Sequence, residues 1–142
     1  MTISISEHKK LTPAQARQYS PLGLAFFGDS VYELLVREKL MLSANMQAAK
    51  LHRASVRLVC ASFQAEAAMR LESALSEEES DILRRGRNCT GNNVPKSSSP
   101  AQYHLATGLE ALFGYLYLIG DSERIYELFE MIMEDKDETN KE

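Results

Sequence analysis

Two acidic residues stand at positions where their helices would ordinarily carry aliphatic side chains. Asp29 lies in the segment 24–34 and Glu110 in the segment 108–118, and both segments are otherwise mostly apolar. A carboxylate buried alone in such a segment is costly unless a partner or a metal ion stabilises its charge. We therefore expect both acids to be buried and to share a cation between the two segments.

A glycine accompanies each acid. Gly28 directly precedes Asp29, and Gly108 stands two residues before Glu110. Because glycine has no side chain, another backbone or a ligand can come close at these positions. The spacing therefore predicts that a second backbone or a ligand comes close to the helix beside each acid.

Glu33 is the candidate third acid, since it lies one helical turn after Asp29 on the same face. A small set of oxygen ligands with no histidine nearby suits a hydrated Mg²⁺, with Mn²⁺ able to substitute. Motifs for a di-iron bundle, a phosphate-binding loop, a zinc protease and a serine hydrolase are absent from the sequence. One alternative stays open: either acid could be a helix-packing residue paired with an arginine.

The elements that position these acids are predicted to be helices. The helix that carries Asp29 should run to about Met41, and the helix that carries Glu110 should end at Gly120. No useful stretch alternates with period two, so we expect no strands. Capping signals predict four helix starts, at Thr12-Pro13, Ser20-Pro21, Ser76 to Glu79 and Ser99-Pro100.

Two further helical stretches complete the prediction. Residues 45–71 contain neither glycine nor proline, although a break could fall near His52 to Ser55. The residues proposed for burial in this stretch are Leu51, Leu58, Cys60 and Phe63. A last helix begins at Asp121 or Ser122, and its apolar stripe comprises Ile125, Leu128, Phe129 and Ile132.

Length and composition indicate one domain that spans residues 1–142. The chain has 142 residues, of which 44% are hydrophobic and 25% charged, as in an ordinary folded protein. We place the core at about 12–133, with flexible N-terminal residues and a solvated tail at 134–142. The sequence shows neither a leader pattern nor an apolar run of membrane-spanning length, so we expect a cytoplasmic protein with no membrane partner. Cys60 and Cys89 are read as thiols, without a disulfide or zinc site.

The charge is unevenly distributed. The net charge is -4, yet residues 121–142 contain nine acids against three bases. Two stretches, 39–65 and 82–109, contain no acid at all, and the second includes a turn-rich segment at 86–99. They are read either as solvated helix faces or as a surface that binds a polyanion. Their bases include Lys39, Lys50, Arg53, Arg57, Arg84, Arg85, Arg87 and Lys96.

The ordered set of motifs resembles Mini-ribonuclease III, the short relative of ribonuclease III that lacks a double-stranded RNA-binding domain. The resemblance covers roughly residues 21–133, and the ordered set is far more specific than the Gly28-Asp29 pair alone. The matching segments are Gly28 to Glu33, Arg84 to Asn88, Pro95-Lys96, Tyr103 and Ala106 to Leu118.

The resemblance implies an all-α ribonuclease III-like helical bundle that forms a homodimer and cleaves double-stranded RNA with Mg²⁺, giving 5′-phosphate products. It places Asp29 and Glu110 as catalytic and metal-binding acids, with Glu33 as an additional candidate ligand. It further implies processing of precursor 23S ribosomal RNA in the cytoplasm, assisted by a large-subunit ribosomal protein. The expected RNA-binding residues are Arg84, Arg85, Arg87, Asn88 and Lys96, with Lys50, Arg53 and Arg57 as further candidates.

The chain departs from full-length ribonuclease III at two acidic positions, which are Ala25 and Thr107 here. His104 stands where the resemblance implies an arginine. The alternative function is therefore a non-catalytic helical RNA-binding or ribosome-associated protein with a degenerate nuclease site. For the dimer, we expect the Asp29 helix to supply the interface through Phe26, Phe27 and Tyr32, with core burial as the competing explanation.

Overall fold

The residues that the structure describes form a bundle of seven α-helices and contain no strand. The structure is a computed structural model. It describes residues 9–89, 94, 96 and 99–140, and for 135–140 the backbone alone. The predicted all-helical class is confirmed. The helices are α1 (Pro13–Arg17), α2 (Pro21–Ser43), α3 (Ala48–Val59), α4 (Ala61–Leu71), α5 (Glu77–Arg87), α6 (Pro100–Leu118) and α7 (Ser122–Asn140).

Local side-chain hydrogen bonds account for the helix starts, and all four predicted starts are confirmed. Thr12 and Ser76 each form a full capping box. The two Ser-Pro starts, at α2 and α6, are capped by the serine hydroxyl. Each cap satisfies backbone N–H groups that a helix leaves without partners at its first turn.

The break in the predicted helical stretch 45–71 lies at Cys60, and the expected position near His52 to Ser55 is wrong. Cys60 has extended backbone angles, with φ of -69° and ψ of 155°, and separates α3 from α4. Around His52 the helix continues without a break, and the Ser55 hydroxyl donates to the His52 carbonyl within it (2.8 Å). Of the four residues proposed for burial, Leu58 is buried and the others are half-buried.

Helix α6 is the centre of the bundle and packs against α2, α4 and α5. Its residues from Ala106 to Leu116 are buried, except for Glu110, which is half-buried. A helix enclosed on all sides carries apolar residues all round, which explains its nearly continuous apolar sequence. The predicted stripe of α7 is confirmed, since all four of its residues are buried. Helix α7 continues through Asn140, so most of the predicted tail has a helical backbone.

The buried face of α2 differs in part from the expected one. Tyr32, proposed as interface surface, is fully buried in the core, while Leu34 is 52% exposed. The Tyr32 ring packs edge-to-face on Phe113 and Phe129, at centroid distances of 5.7 and 6.0 Å. The apolar character of Tyr32 is therefore explained by burial in the core of the protomer, and not by a dimer interface. Phe26, by contrast, is 83% exposed.

Several predictions concern residues outside the described ones: the flexible N-terminal residues 1–8, residues 141–142, and most of the turn-rich segment between α5 and α6. Within the described ranges, no helix is both long enough and apolar enough to cross a membrane.

Candidate active site

Helices α2 and α6 cross with their backbones in direct contact beside the two acids. A Cβ atom added to Gly28 would lie 1.6 Å from the carbonyl oxygen of Glu110. A Cβ atom added to Gly114 would lie 2.2 Å from the carbonyl oxygen of Leu24. Only glycine fits at either position, because real atoms do not approach so closely. The predicted close approach at Gly28 is confirmed, whereas the role of Gly114 was missed, although its place four residues after Glu110 was visible in the sequence.

A second glycine crossing joins α5 to α6. A Cβ atom added to Gly108 would lie 2.5 Å from the carbonyl oxygen of Leu83, and one added to Gly86 would lie 2.9 Å from the Cα atom of Gly108. The predicted close approach at Gly108 is thus confirmed. Since arginines flank Gly86 and Glu110 follows Gly108 by two residues, this crossing places the basic end of α5 near the acid-bearing turn of α6.

Asp29 and Glu110, hereafter the acid pair, lie next to each other at the α2–α6 crossing. Burial raises the pKa of the Glu110 carboxyl to about 9, together with its hydrogen bond to Asp29 and the negative charges of Asp29 and Glu33. Without a cation, Glu110 therefore retains its proton at neutral pH. The two carboxyl groups are close enough that they cannot both be charged at low cost.

Glu79 is a buried carboxylate of the same fold that does have an arginine partner, and it differs from Glu110 in its pKa. Burial alone would raise the pKa of Glu79, but hydrogen bonds from Arg124 and Ser76 lower it below its usual value. Arg124 donates to both carboxylate oxygens of Glu79, each at 2.9 Å. Among the described residues, no lysine or arginine forms an ion pair with the acid pair. The arginine-paired alternative therefore describes Glu79 and not the acid pair.

Asp29 is exposed, and the expectation that both acids are buried is wrong in this respect. The buried stripe of α2 passes through Gly28, so Asp29 lies one position round the helix, at the edge of the stripe. Its backbone is packed near α6 while its carboxylate reaches solvent. Glu110, on the enclosed helix, is half-buried.

Glu33 lies near the acid pair but forms no complete ligand cluster with it. Its carboxylate oxygen is 4.0 Å from the guanidinium nitrogen of Arg37, one turn further along α2. In the part of the chain that the structure describes, no group of three or more His, Cys, Asp or Glu side chains is arranged to hold a metal ion. The role of Glu33 as a third ligand stays a prediction.

The donor set of the acid pair fits a hydrated Mg²⁺. Mg²⁺ binds through one or two carboxylates, keeps several water molecules and takes further oxygen ligands from phosphate groups. A divalent cation would also compensate the negative charge that holds the proton on Glu110. Asp29 and Glu110 are the residues that would hold the ion.

The predicted RNA-binding residues of α5 and the following segment are mostly at the surface. Arg84, Arg87, Asn88 and Lys96 are exposed. Arg85 is half-buried and donates to the carbonyl oxygen of Arg17 on α1 (3.3 Å). The other two α5 arginines also have partners in the fold, since Arg84 is ion-paired with Asp81 and the Nε of Arg87 donates to the Asn88 side chain (3.4 Å). Pro95 lies outside the described residues.

The candidate basic residues of α3 form a separate surface. Lys50, Arg53 and Arg57 follow one another at helical spacing, are exposed and line one shallow groove with Met46 and Ala54. Helix α3 contains no acidic residue at all. Unlike Arg84, these cations therefore have no acid on their own helix to offset their charge.

The two positions that lack an acid are both buried. Ala25 adds no polar atom, and the Thr107 hydroxyl donates to the carbonyl oxygen of Tyr103 one turn earlier (3.0 Å). Neither residue supplies a carboxylate, so the carboxylates nearest this crossing are those of the acid pair and Glu33. His104 is half-buried, with its ring edge-to-face against Tyr103.

Comparison with known proteins places this site in a known family. The model of the Ribonuclease III domain matches residues 22–121. The chain is 46% identical over 121 residues to a Mini-ribonuclease 3 of Thermoanaerobacter sp. (strain X514), covering 85% of each protein. It is 47% identical over 110 residues to a Mini-ribonuclease 3 of Symbiobacterium thermophilum, covering 78% of this chain and 85% of the relative.

A solved structure agrees with these sequence matches. The crystal structure of a protein from Fusobacterium nucleatum superposes with a TM-score of 0.77 at 30% identity, covering 84% of this chain and 96% of that one. The match to the domain includes both acids and the glycine crossings that bring them together. The chain belongs to the ribonuclease III family of endoribonucleases, in its Mini-ribonuclease 3 branch.

Proposed function

We propose that this protein is a Mg²⁺-dependent endoribonuclease that cleaves double-stranded RNA as a homodimer, with Asp29 and Glu110 as its catalytic acids. The observation that carries the proposal is the meeting of the acid pair at a backbone-to-backbone helix crossing, where no lysine or arginine among the described residues forms an ion pair with it. A site of this kind, exposed on the Asp29 side, offers carboxylate oxygens to a cation and access to a large substrate.

The acid pair acts by holding the metal ion. Glu110 has to release the proton that burial favours, so ion binding and proton loss are coupled. When bound, Mg²⁺ neutralises charge on the phosphodiester and makes an attacking water more acidic. Hydrolysis forms a bond from the water oxygen to phosphorus and breaks the bond to the 3′ oxygen, which leaves a 5′-phosphate and a 3′-hydroxyl.

The exposed cations of α3 and α5 would bind the RNA backbone. An A-form duplex hides its base edges in a deep, narrow groove, so proteins recognise it mainly through phosphates, 2′-hydroxyls and helix shape. Lys50, Arg53 and Arg57 on α3, and Arg84 and Arg87 on α5, are the residues available for this task. We therefore expect weak sequence preference.

The natural substrate under this proposal is a duplex region of precursor 23S ribosomal RNA in the cytoplasm, presented with the help of a large-subunit ribosomal protein. The support for this finer assignment is the family resemblance and the similarity to proteins named Mini-ribonuclease 3.

Incubation of the protein with a long, perfectly paired RNA duplex tests the activity directly. We expect cleavage with Mg²⁺ or Mn²⁺, no cleavage with a chelator, and no cleavage of either strand alone. Duplex binding without cleavage in any metal would instead indicate the non-catalytic RNA-binding protein, for which the buried Ala25 and Thr107 are the favouring observation.

The two basic surfaces can be separated by salt dependence. Replacing Arg84, Arg87 and Lys96 together by alanine should weaken duplex binding for all RNA sequences alike. It should also reduce the slope of log affinity against log salt by up to about three, because each phosphate contact contributes about 0.9. Fluorescence anisotropy in Ca²⁺ measures both quantities. An unchanged slope would indicate that Lys50, Arg53 and Arg57 contact the RNA phosphates instead.

A further inference from the structure

Helix α3 has its one fully buried residue near its C-terminal end, and its other residues are half-buried, as are Leu51 and Ser55, or exposed. Leu58, 5% exposed, is its one buried residue. Because most helical stability in proteins comes from packing of an apolar face, the contacts of the last turn, around this one fully buried residue, contribute much of what holds α3 to the bundle. They therefore help to determine where its cations lie.

Three carbonyl groups in that last turn have hydrogen-bond donors. The Cys60 backbone N–H donates to the Val56 carbonyl (3.1 Å), and the Cys60 thiol lies 3.6 Å from the Arg57 carbonyl. The Tyr32 hydroxyl donates to the Leu58 carbonyl at 2.7 Å. Of these donors, Tyr32 is the one from another helix, so its bond ties α3 to α2.

Tyr32 is itself rigidly placed beside the acid pair. It follows Asp29 by three residues on α2, and its ring packs on Phe113, which follows Glu110 by three residues on α6. Tyr32 and Phe113 thus lie one turn beyond the two acids, at the same helix crossing. In the bond to α3 the Tyr32 hydroxyl is the donor, because the Leu58 carbonyl can only accept.

We propose that Tyr32 is a positioning residue, which fixes the basic helix α3 relative to the acid pair by donating its hydroxyl to the Leu58 carbonyl. The proposal rests on the proposed function in one respect, namely that Lys50, Arg53 and Arg57 bind the RNA backbone. A phenylalanine would fill the same core space, yet it would leave the Leu58 carbonyl without its partner.

The expected result of Tyr32→Phe is weaker duplex binding with intact chemistry. The dissociation constant for a fluorescein-labelled RNA duplex in Ca²⁺ should rise roughly three- to tenfold, as for loss of one hydrogen bond. The salt slope should fall as well, since the α3 cations no longer lie in register with the phosphates. In cleavage assays KM should rise while kcat stays within about twofold, and Mn²⁺ affinity by calorimetry should not change.

A double-mutant cycle shows whether Tyr32 acts through α3. In a variant with Lys50, Arg53 and Arg57 all replaced by alanine, Tyr32→Phe should cause no further loss of binding, because coupled residues give non-additive effects. Leu58→Ala loosens the same turn from the other side and should reproduce the selective rise in KM. Tyr115→Phe is the matched control, since Tyr115 is also buried and its hydroxyl interacts with Arg17 on α1 rather than with α3.

The outcomes separate this proposal from the function on which it rests. If the triple alanine variant binds duplex normally, α3 is not an RNA-binding surface and the premise fails. If that variant binds weakly while Tyr32→Phe has no effect on binding, or the same effect in both backgrounds, the positioning role is overturned. A lowered melting temperature in Tyr32→Phe with normal affinity and salt slope would likewise leave it a structural residue only.

Discussion

Replacement of Asp29 by asparagine or of Glu110 by glutamine is expected to lower turnover of double-stranded RNA by at least about a hundredfold. Each change removes one carboxylate of the acid pair that would hold the metal ion, and the buried Ala25 and Thr107 provide no substitute. Duplex affinity measured in Ca²⁺ should change little, because the cations proposed to bind the RNA backbone lie outside α2 and α6. Single-turnover cleavage and anisotropy measure the two quantities separately.

Stability of the metal-free Glu110→Gln variant provides the control for its folding. The folded-state pKa of Glu110 is raised from 4.5 to about 9. The stability that its proton contributes is therefore fully present below pH 4.5 and is lost as the pH rises through about 9. Glutamine has no proton to lose, so the variant should melt above wild type near pH 9, by a margin that shrinks toward acidic pH. Near-normal turnover in either acid variant would refute the catalytic assignment.

The parts of the site that could be predicted from the sequence depend on local chemistry. Caps such as Ser76 with Glu79 act within one turn, so the residues that form them are adjacent in the sequence. Gly28 was also informative, because a glycine beside an acid in an apolar helix has few explanations other than the close approach of a second backbone or a ligand. From these signals the positions of the helices and the pairing of Asp29 with Glu110 can be predicted.

The parts that could not be predicted depend on contacts between distant residues. The break at Cys60 has no glycine or proline to signal it, and the turn before it is held by Tyr32, 26 residues away from Leu58. The exposure of Asp29 depends on which edge of α2 meets α6, and periodicity alone does not decide between neighbouring positions. For the same reason the sequence left open whether Tyr32 lies at an interface or in the core, and the structure places it in the core.

Substitution of Phe26 by glutamate is expected to convert the proposed homodimer into monomers that no longer sever a duplex. One acid pair can cut one strand, so scission at one place requires two sites that face both backbones, and a two-fold dimer supplies them. Phe26 is 83% exposed three residues before Asp29, so a partner that covers it would also lie beside the acid pair. Burial of a phenylalanine contributes about 1.5–3 kcal/mol. Because both copies would lose it, dimer affinity should fall at least about a hundredfold.

Leu42 offers a matched control for this experiment, since it is 81% exposed on the same helix. At about 100° per residue it lies roughly 160° around the helix from Phe26, so it faces away from the surface beside Asp29. Leu42→Glu should remain dimeric and active, whereas Phe26→Glu should sediment as a folded monomer with intact helicity and no paired cuts. A Phe26→Glu protein that remains dimeric would place the interface elsewhere. A wild-type protein that makes paired cuts at concentrations where sedimentation detects only monomer would overturn the two-site arrangement itself, because a single acid pair would then have reached both strands.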